Sequence, residues 1–400
     1  MLYYKKTRRI SIKILFAKGN SQYGALRAYA DLLIQKMKKD KHEVVVVDRA
    51  VPGEWEKVTD IVDESFDIVF SLQAVAYKVK CKLDECGKKY DGITYVCICG
   101  DHPIYVDYWL KKMKDHKKNV FIVTDDNQYN YLKKYYPYIQ SRIIYEVMGN
   151  AMEPVVYKDR KYDVYFGGTY FDVEEGKKEI DQYPENERKN AYDMIDYVLK
   201  HEGAPLEEAL EHIYQRDGIV VDKETFSCEL VKYEAVDKYI RGYYRNYFLS
   251  AALESDYDLT VCGNGWEKSP FINNPKFKFL GSCETMEQAY INMSDAKIII
   301  NIMPWSYIGF HDRLVNTVLC KAVCLTNRNR VVDEVFEDGK DLIAVGLQDK
   351  DKIIQSINRI LKDDDLGAQI AQNGWKVGNA FFSFEKMYNR IDTIIKGVME

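Results

Sequence analysis

Two doubly wound α/β domains in tandem, each with a parallel sheet, are predicted for this 400-residue chain. Three observations carry that prediction. Short Val/Ile-rich runs without polar alternation recur along the sequence, as in strands buried on both faces of a parallel sheet. Helical or polar stretches separate them, which is the rhythm of strand–helix–strand units. The series begins afresh near residue 161 after a first series over 11–150, and the chain is too long for one ordinary core.

The first series opens with "SIKILFAKG", a strand ending at Gly19, followed by "YGALRAYADLLIQKMKKD" with helical spacing of Ala25, Ala28, Leu32, Leu33 and Met37. The strands "HEVVVVD", "FDIVFSL", "ITYVCICGDHP", "NVFIVTDDN" and "SRIIYEVMGN" follow. The second series runs through "KYDVYFGGTYFD", "DLTVCGNGW", "KFKFLGS", "AKIIINIMP", "AVCLTN" and "DLIAVG". Between its first two strands lies a charge-rich stretch, 174–256, whose best helices are "NERKNAYDMIDYVLKH", "PLEEALEHIYQR" and "VDKYIRGYYRNYFLSAALES". This gives a first Rossmann-like domain over 1–155 and a second over 156–385 with a helical insertion. Residues 386–400 are expected to form a terminal helix packing back on the first domain.

Composition excludes some functions. A net charge of −5 and a pI near 5.9 argue against nucleic acid or an anionic membrane as the main partner. The start leads into a strand-like run rather than a signal peptide, and no apolar segment reaches the roughly 18 residues of a membrane span. Nine cysteines, with no CxxC pair, read as reduced thiols packed as small apolar groups in a cytoplasmic protein, and no metal site is expected. Oligomeric state stays open.

Tandem domains of this class hold ligands outside the C-terminal ends of their strands, in the cleft expected between them. Five loops occupy such places. In "GFHDRLVNTVLCKA", Leu314, Val315, Val318, Leu319 and Ala322 form one helical face, with Arg313 and Asn316 on the opposite side. Gly309 lets backbone approach an anion, and the first-turn amides favour a diphosphate near Phe310 and His311. Arg313 adds a two-pronged donor, and Asn316 can bond ribose hydroxyls. The alternative is Asp312 as a plain N-cap with Arg313 on the surface.

Gly167, Gly168 and Thr169 follow the second domain's first strand, where amides can approach a phosphate or sugar or simply make a tight turn. In "VCGNGWEK", Gly263 and Gly265 permit positive φ around Asn264, and Trp266 either lines the cleft or fills a core. Asp101 and His102 sit at a strand tip, where a carboxylate beside an imidazole can deprotonate an acceptor hydroxyl or form an ordinary turn. The loop "AKGNSQYGALRAY" offers Asn20, Gln22, Tyr23 and Arg27 as acceptor contacts, against the alternative of a plain helix start. Asp125 and Asp126 suggest metal-binding carboxylates less simply than caps of the next helix.

With these residues in view, the chain resembles the GT-B glycosyltransferases, in particular the bacterial spore-maturation-protein-like group with a "glycosyl transferases group 1" C-terminal domain. "GFHDRLVNTVLCKAVCLTN", "DEVFEDGKDLIAV" and "IIQSINRILKDD" carry the resemblance, and "NSQYGALRAYADLL", "GDHP", "FGGTYFD" and "VCGNGW" extend it over most of the chain outside the insertion. The resemblance implies a nucleotide-sugar donor, most often a uridine diphosphate sugar, held by the second domain. It implies transfer to a hydroxyl of a protein or glycan, with the nucleotide-sugar as substrate and no cofactor or metal. Carried over by position, Gly309, Phe310, His311 and Arg313 form the diphosphate loop. Related retaining enzymes have two glutamates eight positions apart where this chain has Ile308 and Asn316. Both stereochemical outcomes therefore stay open, with Asp101 as the base of an inverting reaction. The alternatives are a nucleotide-sugar epimerase of the same architecture and a non-catalytic nucleotide-sugar-binding protein.

Overall fold

The computed structural model describes residues 11–20, 24–145, 149, 155–304 and 309–399. Gln22, Tyr23 and Ile308 lie outside the described residues. The chain divides into two compact units: one of Met1–Val123, Tyr136–Arg142 and Asp392–Glu400, the other of Thr124–Tyr135 and Ile143–Ile391. A single cut near residue 155 is thus replaced by several crossings, with the helix Asp126–Tyr135 counted in the second unit.

The first unit holds a six-stranded sheet in the order β2-β1-β3-β4-β5-β6. Its strands are β1 (Lys13–Lys18), β2 (Glu43–Asp48), β3 (Ile68–Leu72), β4 (Thr94–Cys99), β5 (Asn119–Val123) and β6 (Gln140–Ile143). β3, β4 and β5 are buried along their whole length, which is why their sequences show no polar alternation. β1 pairs in parallel with both β2 and β3, so the strand order turns around at β1 and β3. The helix Ala25–Lys39 buries Tyr29, Ala30, Leu33, Ile34 and Met37. That face is rotated from the predicted one, because Ala25, Ala28 and Leu32 are only half-buried.

The second unit's sheet runs β12-β11-β10-β7-β8-β9. Its strands are β7 (Tyr162–Gly167), β8 (Leu259–Cys262), β9 (Phe277–Phe279), β10 (Ala296–Asn301), β11 (Val323–Asn327) and β12 (Ile343–Val345). β7 pairs in parallel with β8 on one side and β10 on the other. Five helices, from Val173–Asp181 to Glu234–Glu254, separate β7 from β8. Two of them, Val173–Asp181 and Lys223–Val231, are additional to the predicted three, and each is capped by an aspartate, Asp172 and Asp222. The insertion is no solvated appendage. Glu234–Glu254 buries Tyr244, Phe248 and Leu249, and Tyr247 donates from its hydroxyl to the Gln348 carbonyl at 2.6 Å.

Candidate functional site

In each unit the strand order reverses beside the first strand, and at such a switch point the flanking loops diverge and leave a crevice. In the second unit that point lies between β7 and β10. Arg313, in the first turn of the helix Asp312–Leu319, spans it: Nε donates to the Gly167 carbonyl at 2.7 Å and Nη1 to Asn301 Oδ1 at 3.4 Å. The guanidinium also lies over the Phe166 ring, 4.7 Å from its centre.

The loop after β8 closes on the same spot. Gly263 has φ of 148°, and a Cβ there would stand 2.1 Å from the Gly168 carbonyl oxygen, so only glycine fits. Trp266 donates from Nε1 to that same carbonyl at 2.6 Å. Three predicted loops, 167–169, 263–266 and 311–313, are therefore brought together within one unit. A residue the sequence reading missed joins them. Arg245, only 7% exposed, donates to the Thr169 carbonyl and lies 4.6 Å from the centre of the Phe171 ring. Its signal in the sequence was an arginine on a helix whose neighbours are aromatic, which reads equally well as a solvated face.

The charge pattern of this region is specific. Burial pushes the His311 imidazole below its ordinary value, against the pull of the Asp312 carboxylate. Burial works against the Asp312 charge as well, yet His311 and then Arg313 hold that carboxyl down at about 2. His311 Nδ1 lies 2.7 Å from Asp312 Oδ1 and 3.1 Å from the Arg313 amide nitrogen. Beneath the 263–266 loop, Cys262 and Cys283 stand with sulfurs 2.6 Å apart, a contact that holds the Cys262 thiol below its ordinary value and pushes Cys283 up.

Several of the residues expected at the site are buried. Trp266 is 0% exposed and packs against Phe166, Tyr170 and Phe277, so it props the loop rather than lining a ligand surface. Phe310, 3% exposed, belongs to an aromatic cluster with Phe336, Phe381 and Phe382. Asn316 is 2% exposed rather than open to solvent, because the chain at Gly149 crosses over the helix: a Cβ on Gly149 would come 3.3 Å from Asn316 Oδ1. Gly309 is buried too, bridged to Asp125 with its carbonyl accepting from Asn329 Nδ2 at 3.0 Å. The Arg313 amide turns to the His311 ring instead of outward. Asn264 and the pair Gly167–Gly168 keep partial or full exposure.

Asp125 caps the helix Asp126–Tyr135, accepting from the amides of Asn127 and Gln128 at 2.7 and 3.2 Å, while Asp126 accepts from the Tyr145 hydroxyl. Among the described residues, no group of three His, Cys, Asp or Glu stands together as a metal site.

In the first unit the switch point lies between β1 and β3, and there a cavity of about 450 Å³ opens. Asn20, Gln73, Lys78, Arg49, Asp101 and Tyr105 are among its lining residues. Asp101 accepts from Gln73 Nε2 at 2.8 Å, and Cys99 donates to Gln73 Oε1 at 2.7 Å. Gln73 itself holds a left-handed backbone with φ of 57°, an arrangement that costs a non-glycine residue about 1 kcal/mol or more. His102 accepts through Nδ1 from the Ile104 amide at 3.3 Å, so that nitrogen caps the turn Pro103–Val106. Arg27 is committed to Asp48 in a two-pronged ion pair, Nη1 to Oδ1 at 2.6 Å and Nη2 to Oδ2 at 2.5 Å, and serves as a brace rather than an acceptor contact.

Residues 245–393 match the Glycosyl transferase-like family profile. The matched segment is thus similar to a glycosyl transferase-like domain. A sucrose-phosphate synthase from Thermosynechococcus elongatus is similar at a TM-score of 0.59 and 11% identity, over 96% of this chain and 99% of that one. HepE from Anabaena, in complex with UDP-glucose, is similar at 0.53 and 12%, over 96% and 100%. An α-glucosyltransferase in complex with UDP and a 13-mer DNA gives 0.54 and 10%, again over 96% and 100%. Among curated proteins none matches the sequence. These likenesses establish the GT-B architecture of two parallel α/β sheets, each with flanking helices. Among the described residues no helix is long and apolar enough to cross a membrane.

Proposed function

We propose that the protein transfers a sugar from a uridine diphosphate sugar to the hydroxyl of an acceptor, without a metal, in the cytoplasm. The donor diphosphate lies on the second unit, at the loops 167–169, 263–266 and 311–313. The observation that carries this reading is the meeting of Arg313, Gly167–Gly168 and Gly263 at the switch point, with Arg245 beside them. Breaking the bond between anomeric carbon and phosphate oxygen leaves negative charge on the diphosphate. Two guanidinium groups fixed by backbone carbonyls meet that charge without having to reorganise. The UDP and UDP-glucose in the HepE complexes support this choice of donor.

The acceptor binds in the first unit, and Asp101 takes the proton of the attacking hydroxyl as the new carbon–oxygen bond forms. Gln73 orients that carboxylate. With Ile308 and Asn316 where retaining relatives carry glutamates, a single-displacement, inverting reaction is the reading we favour.

The test is turnover of a panel of nucleotide sugars with and without a pool of hydroxyl acceptors, following nucleoside diphosphate release and product stereochemistry. Acceptor-dependent release of UDP is expected. A free epimerised donor, or saturable binding with no turnover under any pairing, would overturn the assignment.

A further inference from the structure

The cavity of the first unit carries a charge imbalance that the transferase reading does not use. Four charged side chains around it neutralise one another: Lys18 Nζ lies 2.6 Å from Asp31 and 3.8 Å from Asp48, and Arg27 grips Asp48. Beside the one lining carboxylate, Asp101, which is held by Gln73, two further cations line the cavity, the exposed Arg49 and the half-buried Lys78, and neither forms an ion pair with a carboxylate among the described residues. Their contacts are aromatic instead. The Arg49 guanidinium lies over Trp55 at 4.8 Å, and the Lys78 ammonium over Trp109 at 5.1 Å.

Burial, and then the nearby charge of Arg49, push the Lys78 ammonium below its ordinary value. Two like charges held at one cavity destabilise the fold that holds them, and in a protein of net charge −5 such a pair is not a by-product of a basic surface. Aromatic faces hold both cations in place without neutralising them. With one lining carboxylate, Asp101, against these two cations, the cavity keeps an excess of positive charge that an anion from outside would meet. A phosphomonoester, carrying close to two negative charges at neutral pH, matches two unpaired cations better than a single carboxylate does.

We infer that the cavity between β1 and β3 binds a phosphomonoester, and that the acceptor is a small hydroxy compound bearing one, its phosphate on Arg49 and Lys78. Asn20 and Tyr105 line the remainder of the pocket, and a volume of about 450 Å³ suits a sugar phosphate or a compound of that size rather than a folded protein. Binding of the phosphate is independent of the transferase reading; only the word acceptor rests on it.

The experiment is titration calorimetry of the full chain, without nucleotide, using glucose 6-phosphate, glucose and inorganic phosphate. Saturable binding of glucose 6-phosphate at least tenfold tighter than glucose is expected. Lys78→Met and Arg49→Gln should each weaken it at least tenfold, while Lys200→Gln, at an exposed lysine of the second unit, leaves it unchanged. Lys78→Met keeps the alkyl packing on Trp109 and removes a repulsion, so its unfolding temperature should not fall. The inference is overturned if glucose 6-phosphate binds no tighter than glucose. It is equally overturned if Lys78→Met and Arg49→Gln both leave the affinity for glucose 6-phosphate unchanged. UDP binding, measured separately on the same samples, reports on the transferase reading alone.

Discussion

His311 Nδ1 sits 2.7 Å from Asp312 Oδ1, and the same nitrogen is 3.1 Å from the amide of Arg313. One ring nitrogen cannot donate to the carboxylate and accept from the amide at once, so whether Nδ1 carries a hydrogen, by tautomer or by protonation, selects between the two contacts.

A pH dependence of stability follows from the two shifts. The His311 value is depressed in the folded state, so its contribution is present above the unfolded value of about 6.5 and is lost as pH falls below it. The Asp312 value, lowered to about 2, gives stability present above the unfolded 3.8 and lost as pH falls towards 2. Denaturant unfolding from pH 7.5 to 5 should show stability falling with acid, and His311→Gln should flatten that slope by at most about 1.4 kcal/mol per pH unit. Asp312→Asn should lessen the slope below pH 4, with the remainder carried by other lowered carboxylates such as Asp48 and Asp338.

Gly263→Ala should be severe. The added methyl would meet a backbone carbonyl, not a flexible side chain, and the φ of 148° is hostile to any other residue. A loss of about 3 kcal/mol or more in unfolding free energy is expected, with UDP binding abolished. Gly281→Ala is the contrast, since its φ is 81° but nothing stands within 4 Å; it should cost about 1 kcal/mol by the same measurement.

Arg313→Ala should weaken UDP binding between about tenfold and a hundredfold, as for loss of a charged hydrogen bond. It should also lower the unfolding temperature, because Arg313 ties the Gly167 carbonyl to Asn301. Arg245→Ala should behave alike. Titration calorimetry with UDP beside thermal unfolding separates the two effects.

Asp101→Asn should reduce transfer by about a hundredfold or more while donor affinity holds, the usual cost of losing a general base. Gln73→Gly should keep or raise the unfolding temperature by relieving the left-handed backbone, yet lower transfer through loss of the contact to Asp101. Steady-state rates and UDP affinities measured on both variants check this.

Removal of divalent cations with a chelator should leave transfer within about twofold of the untreated rate, if the arginines carry the diphosphate charge. Loss of activity restored by added magnesium would reassign that charge to a metal.

The strands were all legible in the sequence, because buried parallel strands write themselves as Val/Ile runs: "IVFSL" and "TYVCIC" have no solvent face to encode. Side-chain exposure was less so. The helical period puts Arg313 and Asn316 on one side of their helix, but it could not show that Gly149 packs against Asn316 or that Leu314 to Val318 are all buried. Trp266 was ambiguous between pocket wall and core for the same reason. Arg245 and Gln73 went unread because neither lies in a glycine-bearing loop; one is reached through aromatic packing and the other through an unusual backbone angle.

The recess flanked by β1 and β3 is made entirely by segments of one compact unit. Substitutions at Arg49, Lys78 and Tyr105 therefore leave the loops 167–169, 263–266 and 311–313 of the other unit as they are. On the proposed transferase reading, a library confined to those three positions would vary the acceptor while the donor site keeps its sequence.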